Sequence, residues 1–292
     1  MSTYSIKDLE QLSGIKAHTL RIWEQRYDIL SPDRTDTNIR TYDDNDLKLV
    51  LNIALLKDHG YKISEISKML PDELSKEVLL ISDKQLNYPD QIHALTISML
   101  DLDEERFEKI VSTNSLQFGF ENMMINIIYP FLSRIGTLWI TGSIGPAQEH
   151  FISNLIRQKL IVAIDGQLPS LRPGAKKYLL YLPEGEMHEI SLLFANYIIR
   201  SRQNKVIYLG QSLPFNELGF AHGIHKPDYI FTVITSVPGQ NEIQRYVYKL
   251  AKEFPDSKIL MTGYQVVGQD IDCPDNVEII TQIKYLMDIA SE

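Results

Sequence analysis

The stretch TLRIWEQRYDILSPDRTDTNIRTY, residues 19–42, decides how the N-terminal part of the chain is read. Upstream, SIKDLEQLSGIKAH offers Ser5 as a helix N-cap and Gly14 as a tight turn between two helices. Two short helices joined by LSGI form a helix-turn-helix, which lays its second helix in a DNA major groove. That second helix, about 16–27, carries His18, Thr19, Arg21, Gln25 and Arg26 and ends at Tyr27. Arg34 and Arg40 flank the segment TDTNI, a hairpin tip that opens with Thr35, and Tyr42 follows. Arginine and tyrosine on such a wing suit phosphate and minor-groove contact, whereas Thr19 and Arg21 suit base edges. The plainer alternative makes Leu20 and Trp23 core residues and the arginines a solvated face.

Composition neither helps nor forbids this reading. The net charge is −9, and residues 1–70 hold ten Lys/Arg against eleven Asp/Glu, so electrostatics alone does not point to DNA. The single cysteine, Cys273, excludes an internal disulfide and a multi-cysteine zinc site. No apolar run approaches the roughly 18 residues of a membrane helix, and the start MSTYSIKDLE is unlike a signal peptide. A cytoplasmic protein without a membrane partner is expected.

Two further patterns follow. Residues 75–168 carry almost no strand signal and read as a four-helix bundle over about 88–100, 103–115, 119–138 and 146–165. Met123, Ile127, Phe131, Ile135 and Leu138 recur at helical spacing and predict a buried stripe. From Lys176 the rhythm becomes KKYLLYLP, KVIYLG, DYIFTVIT, KILMTG and VEIIT, with helical patterns such as EISLLFANYIIRSRQ between most of the runs. Short apolar runs alternating with helices predict a Rossmann-like parallel sheet covered on both faces. The expected fold is therefore multidomain, α and α/β: residues 1–72, 75–168 and 174–292, with linkers near PDELSKE (71–77) and QLPSLRPGAK (167–176).

Ligands of open parallel sheets bind beyond the carboxyl ends of the strands. PEGEMHEIS, the loop after the first strand, places His188 there. A lone histidine at such a turn is more often a helix cap or a solvated side chain. Glu186 changes the weighing, because a carboxylate two residues earlier can hydrogen-bond one imidazole nitrogen and leave the other for a metal. One nitrogen suffices if a macrocycle supplies the remaining equatorial ligands. In LWITGSIGPAQEH, Trp139 precedes Glu149-His150, which read without context as an interfacial tryptophan and a helix-start glutamate.

The ordered set Thr19, Arg21, Trp23, Glu24, Arg26, Tyr27, Pro32, Arg34, Thr35, Arg40 and Tyr42 closely resembles the winged-helix DNA-binding domain of the MerR family. Asn38 stands where many members have glycine, and asparagine tolerates the left-handed conformation. Pro71 interrupts the long dimerisation helix common in that family. Glu186-Met187-His188-Glu189-Ile190-Ser191 looks like the signature of the vitamin B12-binding domain. Trp139 and Glu149-His150 resemble the helical cap of the B12-dependent light-responsive repressors of the MerR family.

The resemblance implies a DNA-binding transcriptional repressor, not an enzyme. It implies a double-stranded operator and a homo-oligomer as partners, and cobalamin, in the adenosyl form, as ligand. His188 would be the lower axial ligand to cobalt, with Trp139, Glu149, His150, Glu186, Ser191, Ser236 and Gly263 as further cofactor contacts. Ligand binding would change the oligomeric state and thereby DNA affinity.

The chain departs from the pattern at Ile140, where a histidine is expected, at Pro238 for a leucine, and at Thr262 for a glycine. A degenerate module sensing another ligand or a protein is therefore an alternative, and a cobalamin-dependent methyltransferase-like enzyme a more distant one.

Overall fold

The computed structural model describes residues 4–35, 38–71, 73–74, 76–78, 88–140, 144–167 and 170–292. Residues 36–37 of the expected wing tip, 72 and 75 at the expected domain ends, 141–143 and 168–169 lie outside the described residues, as does the side chain of Ile140. The chain forms two compact units, Met1–Leu155 and Ile156–Glu292.

The first unit opens with α1 (Ile6–Ser13), started by a capping box in which Ser5 and Asp8 satisfy each other's backbone N–H groups. Gly14, at φ +73°, ends it in the left-handed conformation that glycine adopts without penalty. Helix α2 (Ala17–Tyr27) buries Leu20 and Trp23. Strands β1 (Asp33–Arg34) and β2 (Arg40–Thr41) pair antiparallel, and Asn38 takes φ +63° at their turn. A second capping box, Asp43 with Asp46, begins α3 (Asp44–Asp58), followed by α4 (Ile63–Ile66).

The stretch expected to be a loose linker near residues 71–77 is instead helical wherever it is described. Leu74 and Val78, four residues apart, are both buried, and that shared face explains the helix.

The bundle helices are α5 (Tyr88–Asp101), α6 (Glu104–Phe118), α7 (Phe120–Met123) continuing into α8 (Tyr129–Ile140), and α9 (Pro146–Asp165). The expected stripe from Met123 to Leu138 is buried throughout. Between α7 and α8 the chain makes a π-turn, Met124–Ile128. Pro130 lacks an N–H and its ring crowds the carbonyl four residues back, so the widened turn relieves a clash that a continuous helix would suffer.

The second unit is a five-stranded sheet, every neighbouring pair parallel, in the order β4-β3-β5-β6-β7. The strands are β3 (Lys177–Pro183), β4 (Lys205–Leu213), β5 (Tyr229–Val233), β6 (Lys258–Thr262) and β7 (Val277–Ile279). Helices α10 (Ile190–Ser201), α11 (Phe215–His225), α12 (Gln240–Glu253) and α13 (Ile283–Ser291) alternate with them. Strand β3 is buried from Tyr178 to Pro183, as its unbroken apolar run predicts. Because β3 has β4 on one side and β5 on the other, the order reverses between β3 and β5. The loops leaving those two strands therefore flank the topological switch point.

Candidate functional site

Two groups of residues stand out, one in each unit. On α2, His18, Arg21, Gln25 and Arg26 are exposed while Leu20 and Trp23 face the core, so one helix surface is polar and open. Thr19 and Tyr27 are half-buried beside it. On the wing, Arg34 donates from Nη1 to Asn38 Oδ1 at 2.8 Å, and the Thr35 hydroxyl accepts from the Ile39 N–H.

Two residues expected on the DNA face have structural duties. Arg40 donates from Nε to both carboxylate oxygens of Glu24, at 3.1 and 2.9 Å, tying the wing to α2. Tyr42 is 2% exposed and pairs by its backbone with Tyr4, so it belongs to the core and not to the outer face. Its ring is buried, and the apolar area removed from water offsets a buried hydroxyl that has no hydrogen-bond partner.

In the second unit, the loop after β3 turns at Gly185, with φ +84°, and is held to the end of β4. Gly185 N–H donates to Ser212 Oγ, and Gln211 Nε2 donates to the Met187 carbonyl. Glu186 is fully buried, yet ionised. Burial alone would raise its carboxyl pKa. The backbone N–H of Ser236, the His188 ring, and the N–H groups of His188 and Val237 outweigh that and hold it at about 2. Its Oε2 accepts from the N–H groups of Thr235, Ser236 and Val237, all in the loop after β5. The carboxylate thus joins the two loops at the switch point.

His188 Nδ1 lies 2.5 Å from Glu186 Oε1, and the imidazole is 61% exposed. Against an ionised acceptor Nδ1 carries a proton, so Nε2 is the ring nitrogen turned away from the carboxylate. Among the described residues Nε2 has no hydrogen-bond partner. This single donor would suit a metal whose other ligands a cofactor supplies, and no group of three or more His, Cys, Asp or Glu side chains that could hold a bare ion occurs among the described residues.

The remaining expected contacts are more mixed. Ser236 is exposed, and its hydroxyl lies 3.2 Å from Glu186 Oε2. Ser191 is half-buried in the first turn of α10. Thr262 turns its hydroxyl onto the Ile280 carbonyl at 2.7 Å, so it packs between strands. Gly263, at φ +109°, is required by backbone contact: a Cβ there would lie 2.4 Å from the Ile234 carbonyl oxygen. In the first unit, Trp139 is 48% exposed at the end of α8, and His150 Nδ1 pairs with Glu149 at 2.9 Å.

One cluster carries no local signal in the sequence. Glu189, nearly buried, accepts from Arg157 Nε at 2.7 Å and from the Tyr208 hydroxyl at 2.8 Å. Arg157 lies 32 residues away and Tyr208 lies 19, so only the fold reveals the pairing.

Residues 4–73 match the family described as MerR HTH family regulatory protein. The HTH-type transcriptional repressor CarH of Myxococcus xanthus is 30% identical over 235 residues, covering 78% of this chain and 77% of that protein. The chain belongs to the MerR family of transcriptional regulators. Residues 91–163 of this regulator match a B12 binding domain. The HTH-type transcriptional repressor CarA, also of Myxococcus xanthus, is 25% identical over 230 residues, 78% of this chain and 75% of its own. The fold is shared with a solved structure, the monomethylamine corrinoid protein of Methanosarcina barkeri. The TM-score is 0.52 at 10% identity, over 66% of this chain and 93% of that one. No described helix of the MerR-type regulator is long and apolar enough to cross a membrane.

Proposed function

We propose that this regulator is a repressor that binds operator DNA through α2 and the wing and binds cobalamin through His188. The observation that carries the cofactor assignment is the Glu186–His188 pair, which engages Nδ1 and leaves Nε2 of an exposed imidazole without a partner among the described residues. When bound, cobalamin would supply a cobalt ion that the His188 imidazole nitrogen would help to hold. Glu186 keeps the ring in one tautomer and orientation through a carboxylate that three N–H groups fix in place. Trp139, Glu149, His150, Ser191, Ser236 and Gly263 are assigned as further cofactor contacts on the resemblance of their motifs. His18, Thr19, Arg21, Arg26, Tyr27, Arg34 and Thr35 are assigned to DNA, with Arg40 acting through Glu24.

Cobalamin acts only through a difference in its affinity for two states, and we take those states to be oligomers of different size. Two winged helices on adjacent half-sites bind far more tightly than one, so assembly raises DNA affinity without a new contact. The assignment to a repressor rests on the likeness to CarH and CarA, and that to the adenosyl form on the resemblance of the Trp139 and Glu149-His150 motif alone.

Purification with adenosylcobalamin tests the reading. The expected result is a retained red-orange chromophore in the wild type, lost in His188→Ala, with a size-exclusion profile that changes on cofactor binding. A colourless wild-type protein would remove the cofactor assignment. Retention of colour with an unchanged profile, in the dark and after illumination, would remove the coupling to oligomeric state.

A further inference from the structure

A cavity of about 280 Å³ lies in the first unit where α3 meets α5, α6 and the helical segment at 71–78. Its walls are of two kinds. Leu49, Leu74 and Ile97 are apolar, and Lys48, Asp101 and Arg106 are charged. Lys48 Nζ pairs with the Asp101 carboxylate, so those two charges offset each other. The backbone N–H of Arg106 caps onto Asp103, but among the described residues no hydrogen bond or ion pair holds its guanidinium. Arg106 is only partly exposed, and burial pushes its pKa down against the opposing pull of Asp101 and Asp103. The Oδ1 of Asn52, another wall residue, is buried without a partner.

A desolvated cation without a bonded partner is costly, and an anion offered to a guanidinium gains a charge-assisted, two-pronged bond. The apolar part of the lining rewards burial of a hydrocarbon body. We propose that this cavity is a second effector site, which takes a small carboxylate with an apolar tail: the carboxylate on Arg106, the tail on Leu49, Leu74 and Ile97. The volume falls just under the usual ligand range of about 300–1,000 Å³, which suits a chain of about six carbons and excludes a corrin. Because α3 belongs to the DNA-binding segment and α5 and α6 to the bundle, the occupant bridges the two. Occupancy therefore bears on how the winged helix is held, independently of His188.

Calorimetric titration of the full chain with hexanoate, and with hexanamide as its uncharged counterpart, tests the site. The expected result is saturable hexanoate binding, at least tenfold weaker binding of hexanamide, and loss of that preference in Arg106→Gln. Equal binding of the two compounds by the wild type, or no saturation by hexanoate, overturns the proposal without any variant having to fold. An Arg106→Gln protein that melts like the wild type and keeps the preference also overturns it, since the anion then sits elsewhere. The same titration on His188→Ala is expected to be unchanged, which separates this site from cobalamin binding.

Discussion

His59 Nε2 stands 2.8 Å from Asp90 Oδ2, joining the C-cap of α3 to the first turn of α5 across 31 residues of chain. The two side chains are 16% and 4% exposed, so this is a largely buried pair between the DNA-binding segment and the bundle. Asp90, in the first turn of α5, also sits at the helix end that suits a carboxylate. Removing one partner strands the other. His59→Ala should therefore cost about 1–3 kcal/mol, whereas the double change His59→Ala with Asp90→Asn should cost clearly less than the sum of the singles. Denaturant titration of the four proteins measures the coupling, and strict additivity would refute it.

Stability below neutral pH should be governed in part by His93 on α5. Burial pushes its pKa down to about 4, with Arg134 opposing protonation as a smaller cause. The folded pKa lies below the ordinary 6.5, so the neutral ring stabilises the fold above pH 6.5. That contribution is lost progressively as pH falls from 6.5 towards 4, because the unfolded chain takes up the proton first. His93 Nδ1 is buried without a partner, so His93→Leu removes an unsatisfied group as well as a titrating one. The variant should melt within a few degrees of wild type at pH 7.5 and above it at pH 5. Parallel melting curves at both pH values would refute the assignment.

Much of this was legible in the residues. Strand β3 announced itself as an unbroken apolar run, and Ser5, Gly14 and Asn38 matched their backbone conformations because caps and left-handed turns are local chemistry. Glu186 and His188 are two residues apart, so their bond was within reach of the sequence as well. What stayed hidden depends on distant partners. Nothing near Glu186 indicates that its carboxylate collects three N–H groups from a loop some 50 residues on. Likewise an arginine and a tyrosine on a wing look like DNA contacts until the fold shows Glu24 against Arg40 and Tyr4 against Tyr42.

Arg40 and Arg26 should for that reason fail in different ways. Arg26 is exposed at the end of α2, so Arg26→Ala should weaken specific and non-specific DNA binding together and lower the salt slope by about 0.9. Arg40→Ala should instead free the wing from Glu24, lowering the melting temperature, and Glu24→Ala should reproduce that loss without removing a positive charge. Arg40→Lys should not rescue it, because one ammonium cannot reproduce the guanidinium geometry. Filter binding across a salt series, beside thermal melts, distinguishes the two. An Arg40→Ala protein with unaltered melting and a reduced slope would make Arg40 a direct phosphate contact.

Gly263 offers a test of whether the last loop of the sheet is shaped by backbone packing or by a ligand. At φ +109° and with the Ile234 carbonyl 2.4 Å from where a Cβ would sit, alanine meets both strain and a clash with main chain that cannot swing aside. The expected cost of Gly263→Ala is roughly 2–5 kcal/mol in the protein without any cofactor. Ser236→Ala, by contrast, removes only an exposed hydroxyl 3.2 Å from Glu186, whose carboxylate keeps its three backbone donors, so it should cost less than about 1 kcal/mol. Thermal melts of the two cofactor-free variants decide the point. If Gly263→Ala melts with the wild type, the loop must yield at Ile234, and the glycine is then kept for what it leaves open to a ligand.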